Sequence, residues 1–135
     1  SPAVYEACKG SNEKKKLWGL RALPHIDGHS LKALNTIKEI LKQSDEGLRA
    51  EAAYCLGLMK VEKTLVISTL KEASQDKSSN VRNSIFSSIA NIDGKHQVQC
   101  LEKMLNQEIK LDGFTREMEE TLSDLKKQTG DKVNN

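Results

Sequence analysis

Shifted against itself by 33 residues, this chain falls into register, and that constraint limits the fold more than any other. The string Ile-Asp-Gly begins at Ile26 and again at Ile92, two such periods apart. Between them, Leu48 falls on Val81, Arg49 on Arg82, Ala52 on Ile85, Leu56 on Ile89 and Met59 on Ile92. One period further on, Phe114, Met118, Leu122 and Leu125 take the same columns. One period back stand Lys15, Gly19, Leu23 and Ile26, with only Lys15 breaking the pattern. Apolar residues four, eight and eleven positions after the first describe one face of a helix. A period of this length signals stacked units that cannot bury their stripes alone.

A second set of stripes lies between these helices. Leu31, Leu34, Ile37 and Leu41 form one, and Leu65, Val66, Leu70 and Ala73 another. Val98, Leu101, Met104 and Leu105 form a third, one residue late against the period. At the front, Val4 and Cys8 match Ile37 and Leu41, which predicts a short first helix. Ser30 is placed to cap the helix that follows it. "QSDEG" and "QDKSSN" read as polar connections before the two clearest second helices. Gly28 and Gly94 follow second helices, where a left-handed residue is expected. Pro24 falls inside its helix and is expected to bend it. Its column continues as Gly57, Ala90 and Ser123, small residues that suit close helix approach. No alternating strand pattern occurs.

Composition agrees with an all-α reading. Aromatics are 4% of the 135 residues and charged residues 30%, with a net charge of +2. That charge is too small for a strongly basic nucleic-acid binder. No apolar run reaches the roughly 18 residues of a membrane helix, and no signal peptide is visible. Cys8, Cys55 and Cys100 are widely spaced and odd in number, which points to free thiols in a reducing, intracellular and cytoplasmic setting. The absence of an initiator Met suggests an excised fragment; a polar last copy with no equally clear cap at the N-terminus suggests the C-terminal part of a larger protein, with a complete small domain as the alternative.

Around "SDEGLRAEAAYCLGLM" the sequence resembles a HEAT repeat, in the short form named for phycobilisome lyases. Asp45, Leu48, Arg49, Ala52, Leu56 and Gly57 carry the likeness in one copy, and Asp76, Val81, Arg82 and Ile89 in the next. The outer copies lack the Asp and Arg in register. The resemblance implies a right-handed α-solenoid of about four antiparallel helix pairs. The expected layout is one domain, 1–127, with copies at 1–28, 29–60, 61–94 and 95–127 and a polar frayed tail at 128–135. It also implies a structural ladder in which Asp45, Arg49, Asp76 and Arg82 bond between repeats. Neither the ankyrin "TPLHxA" string nor the tetratricopeptide landmarks occur. Glu119 stands where Leu20, Ala53 and Phe86 stand earlier, as expected of a C-terminal cap with a polar outer face.

In the family the second helix of each pair lines the concave surface. Opposite the buried stripe, helical spacing gives three columns. They read Trp18, Glu51, Ser84, Glu117; then Arg21, Tyr54, Ser87, Glu120; then His25, Leu58, Asn91, Asp124. The N-terminal end is aromatic and basic, and the C-terminal end is acidic. Trp, Tyr and Arg are the types enriched at binding hot spots. The expected function is a non-enzymatic protein-binding or scaffold module whose partner segment lies along this face. One alternative is a purely structural stretch of a longer solenoid. Another is nucleic-acid binding through the basic N-terminal end, "EKKK" with Lys9 and Arg21, which the acidic far end opposes. The competing expectation for Trp18 is burial between repeats, with the acids only solvating a cap.

No cofactor or metal is expected. His25 and His29 have metal-ligand spacing, but Gly28 and a helix end fall between them and no third ligand is near. The His-Glu dipeptides of metal-dependent HEAT-repeat hydroxylases are absent. So are the P-loop and the dinucleotide-binding glycine pattern.

Overall fold

The computed structural model describes residues 2–92, 98, 102, 120, 122–124 and 126–128. Within residues 2–92 the helices run in order: α1 (Pro2–Lys9), α2 (Glu13–Asp27), α3 (Leu31–Ile40), α4 (Glu46–Leu56), α5 (Lys63–Glu72) and α6 (Ser79–Ala90). Among the described residues there is no strand. Short turns join helices that pack on one another, so chain neighbours run antiparallel. The second helices form a continuous row, α2 against α4 and α4 against α6. The first helices back this row, with α1 on α2, α3 on α4 and α5 on α6. This is a helical solenoid.

The 33-residue columns explain the row. Leu48, Ala52, Leu56, Val81, Ile85 and Ile89 are all buried, as are Leu20 and Leu23 of α2. Each fully buried Leu or Ile contributes about 1.5–3 kcal/mol, yet none has a core of its own to enter. They share one cluster that also takes in Val4, Tyr5 and Cys8 from α1. Beyond α6, Val98 and Leu122 are buried, and Lys126 pairs with Glu102 at 3.3 Å.

Caps fix where the helices begin. Side chains of Asn12, Ser30, Asp45 and Ser78 accept the free backbone N–H of Lys15, Ala33, Leu48 and Val81. Replacing Asp45 with Ala leaves the Leu48 N–H, now 2.9 Å from Asp45 Oδ1, without its acceptor. The expected cost is about 1 kcal/mol, read as a lowered thermal midpoint, with Asp45→Asn restoring most of it.

Two glycines are needed for space. A Cβ on Gly19 would lie 2.9 Å from both Cys8 Sγ and the Val4 carbonyl, so the glycine lets α1 pack closely on α2. A Cβ on Gly57 would lie 3.0 Å from Ser88 Cβ. At that contact Ser88 donates its hydroxyl to the Ala53 carbonyl at 2.6 Å. Gly57 N–H turns instead to Tyr54, so the serine satisfies a carbonyl at the end of α4.

Several expectations change. Gly28 is right-handed at φ −64°, not left-handed. Its missing Cβ matters because that atom would sit 2.3 Å from the Pro24 carbonyl. Its own carbonyl accepts Lys60 N–H across the repeat at 2.7 Å. α2 continues through Pro24 to Asp27, whose carboxylate accepts the Tyr5 hydroxyl. Lys32 caps that tyrosine ring at 4.3 Å from its centre. Ile26 is therefore 49% exposed, whereas Met59 in the same column is buried and Ile92 partly so. After Leu56 and Ile89 the chain makes three-residue turns, Met59 N–H to Leu56 and Ile92 N–H to Ile89. Such turns eclipse i and i+3 and keep the apolar column over the core; the extra α-helical turn of α2 rotates it away. Leu31 and Leu65, both in first turns, are exposed, and Ala33 and Ile67 are buried in their stead. Gly94, Cys100, Leu101, Met104, Leu105, Phe114, Met118, Glu119 and Leu125 lie outside the described residues.

Candidate functional site

The inter-repeat bonds position the exposed face. Arg49 is 5% exposed and uses all three guanidinium nitrogens. Nε and Nη2 fork onto the Asp76 carboxylate at 2.8 and 3.0 Å. Nη1 donates to the carbonyls of Gln43 and Ser44 at 2.9 and 2.7 Å. One period on, Arg82 Nη1 donates to the Asp76 carbonyl at 2.6 Å, the counterpart of the Gln43 carbonyl. Each arginine thus clamps the turn six residues before it, and Arg49 also reaches the next repeat. Asp45 serves differently, as the cap of α4.

Burial works to raise the pKa of Asp76, but hydrogen bonds from Arg49 and the Ser78 N–H, with the charges of Arg49 and Arg82, outweigh it. The net direction is downward. Arg49 is raised, chiefly by its hydrogen bond to Asp76.

The first repeat has a rung that the Asp/Arg pattern did not reveal. Lys16 occupies the Arg49 column and Gln43 the Asp76 column. Lys16 Nζ donates to Gln43 Oε1 at 2.8 Å, over the same 27-residue separation that joins Arg49 to Asp76. The 33-residue columns contained this signal; a search for charged consensus residues passes over it.

On the opposite side of the row, α2 and α4 bring together five of the expected residues. Arg21 pairs with Glu51, Nε to Oε2 at 3.3 Å and Nη2 to Oε1 at 3.4 Å. These two, with His25, Tyr54 and Leu58, line a hollow of about 620 Å³ whose far wall reaches Ser84 of α6. Tyr54, on α4, is 50% exposed, and Leu58, in the turn just after α4, is 37% exposed. Cys55 is buried at its edge, 3.8 Å from Glu51 Oε2, with its thiol pushed up to about 12, first by burial and then by Glu51.

Trp18 is exposed, not buried between repeats, but it does not join this hollow. It lines a separate one between α1 and α2 with Ala3, Ala7, Gly10 and Lys15. Glu120 and Asp124 are exposed helical residues at the far end. Glu117 lies outside the described residues.

Paired helices in two rows, clamped by turn-to-helix bonds and presenting one row of exposed side chains, define an α-solenoid repeat protein. Within that class, the family model for HEAT repeats matches residues 34–123, and the chain belongs to the HEAT-repeat family. No curated protein and no solved structure matches it. HEAT repeats commonly mediate protein–protein interaction or scaffolding. Among the described residues, no helix is long and apolar enough to cross a membrane.

Proposed function

We propose that this chain is a non-enzymatic interaction module that holds a protein segment along the face formed by α2, α4 and α6. The observation that carries this reading is the exposed Tyr54–Leu58 pair beside Arg21 and His25 in one hollow. Large apolar side chains normally seek cover, and a rigid aromatic on a helix gives much contact area for little lost entropy. Charge gives the face a direction. Lys14 and Arg21 are exposed at one end, and Glu120 and Asp124 at the other. A bound segment lies with its basic portion toward the acidic end. Buried Cys8 and Cys55, both free thiols, suit a reducing cytoplasmic setting.

Capture of partners from cell lysate by the wild type and by a Trp18→Ala/Tyr54→Ala variant tests the reading. Both side chains are about half exposed, so the thermal midpoint is expected to stay within a few degrees. Partner recovery is expected to fall about tenfold or more, as for loss of a hot-spot aromatic. Unchanged recovery contradicts the proposal. A second reading, a structural stretch of a longer solenoid, draws on the hollow at Trp18. There Ala3, Ala7 and Gly10 leave room for another helix. Tyr54→Ala alone separates the two, because it leaves that edge intact.

A further inference from the structure

The hollow between α2 and α4 has more chemistry than a general interaction face requires. Its acid, Glu51, is already committed. The carboxylate receives Nε and Nη2 of Arg21 and also accepts from the Cys55 thiol, which stays protonated. Arg21 is not saturated in the same way. Its side chain is 61% exposed, and Nη1 is not one of the atoms bonded to Glu51. His25 lies on the same wall. The Glu51 side chain is only 20% exposed, so an incoming ammonium group finds the guanidinium more accessible than the carboxylate. An incoming carboxylate would meet free N–H donors and a cation held in place from behind.

Besides Glu51, the α4 side contributes apolar groups. Ala50 and Tyr54 of α4 and Leu58, in the turn after it, line the hollow, and the α6 residue lining it is the small Ser84. That leaves space for a branched aliphatic side chain, whose burial would cover the exposed ring and leucine. A hollow of about 620 Å³ falls within the range of ligand sites and admits a two-residue element.

From this juxtaposition we infer that the hollow is an anchor site for a partner segment carrying an aspartate or glutamate directly beside an aliphatic residue. The carboxylate docks on Arg21 and the aliphatic side chain lies between Tyr54 and Leu58. The inference deepens the proposed function and rests on it for the claim that the partner is a protein.

The test is an NMR titration of the isotope-labelled chain with three capped dipeptides: acetyl-Asp-Leu-amide, acetyl-Lys-Leu-amide and acetyl-Asp-Ser-amide. The first is expected to saturate, with a Kd on the order of 1 mM or tighter for a ligand of its size. Shifts should be confined to Arg21, Tyr54, Leu58 and their neighbours. The other two should bind at least about fivefold more weakly, one for lost charge pairing and one for lost apolar cover. Arg21→Gln should remove the preference for Asp-Leu over Lys-Leu while keeping residual binding through Leu. Tighter binding of Lys-Leu would show that Glu51, not Arg21, reads the ligand, and would overturn the inference. So would no saturable shift with any of the three. Capture decides the broader reading. If the dipeptides fail but Trp18→Ala/Tyr54→Ala still loses its captured partner, only the anchor is wrong. If Asp-Leu binds and that variant keeps its partner, the hollow takes the dipeptide but does not anchor the partner, and the broader reading fails with the inference.

Discussion

Asp76→Ala is expected to lower the unfolding free energy by about 3–5 kcal/mol, because it leaves the Arg49 guanidinium buried without its counter-charge. Arg49 has 6% of its side chain exposed and Asp76 11%, so water cannot easily replace the lost carboxylate. The two carbonyl bonds from Nη1 remain and hold the arginine in place, which stops it from swinging out to solvent. For a chain of this size the shift amounts to about 10–20 °C in thermal midpoint. Replacing both partners, as Arg49→Met with Asp76→Leu, should cost clearly less than Asp76→Ala alone. Equal costs would mean that the arginine stranded by Asp76→Ala carries no penalty of its own. The pH dependence follows from the lowered pKa of Asp76. A carboxylate depressed on folding contributes stability that is fully present above its unfolded pKa, about 3.9. That contribution is lost as pH falls through the folded pKa. The gap between wild type and Asp76→Ala should therefore be widest near neutrality and should narrow below about pH 4. A gap that widens under acid would reverse the sign and remove the ion pair as its cause.

The clamp also shows what a sequence reader can and cannot see. Leu48, Ala52 and Leu56, repeated as Val81, Ile85 and Ile89, reveal the helical face because burial acts on every copy alike. Period and pairing were legible for the same reason. Where the copies differ in local geometry, the columns mislead. Ile26 shares a column with Met59, yet α2 has an extra turn held by Tyr5 on Asp27 and by Lys60 on Gly28. That turn depends on contacts 22 and 32 residues away, which no window around Ile26 contains. Lys16 and Gln43 were missed for a chemical reason. A neutral acceptor facing an ammonium makes the same bond as the Asp/Arg pair but bears no likeness to it in letters. On the exposed face, helical spacing placed Arg21, Tyr54 and Leu58 on one side. It could not say that α1 would draw Trp18 into a different hollow, since both hollows border the same helix.

Phe86→Ala is the other large loss expected, about 3–5 kcal/mol for a fully enclosed aromatic. Phe86 is 2% exposed on α6, in the column where α2 has Leu20 and α4 has Ala53, both fully buried. Large, small and large residues alternate along the row, so Ala53 leaves the space that Phe86 helps to fill. The same interface includes Gly57 against Ser88 and the Ser88 bond to Ala53. These contacts fix the helix separation and prevent α6 from settling inward over the vacated ring. A cavity should remain rather than collapse, which places the cost toward the upper part of the range. Phe86→Leu, which keeps most of the volume, should cost about 1.5 kcal/mol or less. Where the loss is felt follows from the architecture. In a stack each unit touches only its neighbours, so stability is close to a sum of units and interfaces. Native-state amide exchange should show protection falling most in α5 and α6, less in α4, and least in α1 and α2. The Arg21–Glu51 pair lies on the α2 side, so the Asp-Leu dipeptide should still bind the variant well below its melting temperature. A uniform loss of protection from α1 to α6 would mean instead that the chain unfolds as one cooperative unit, with no separable interface between α4 and α6.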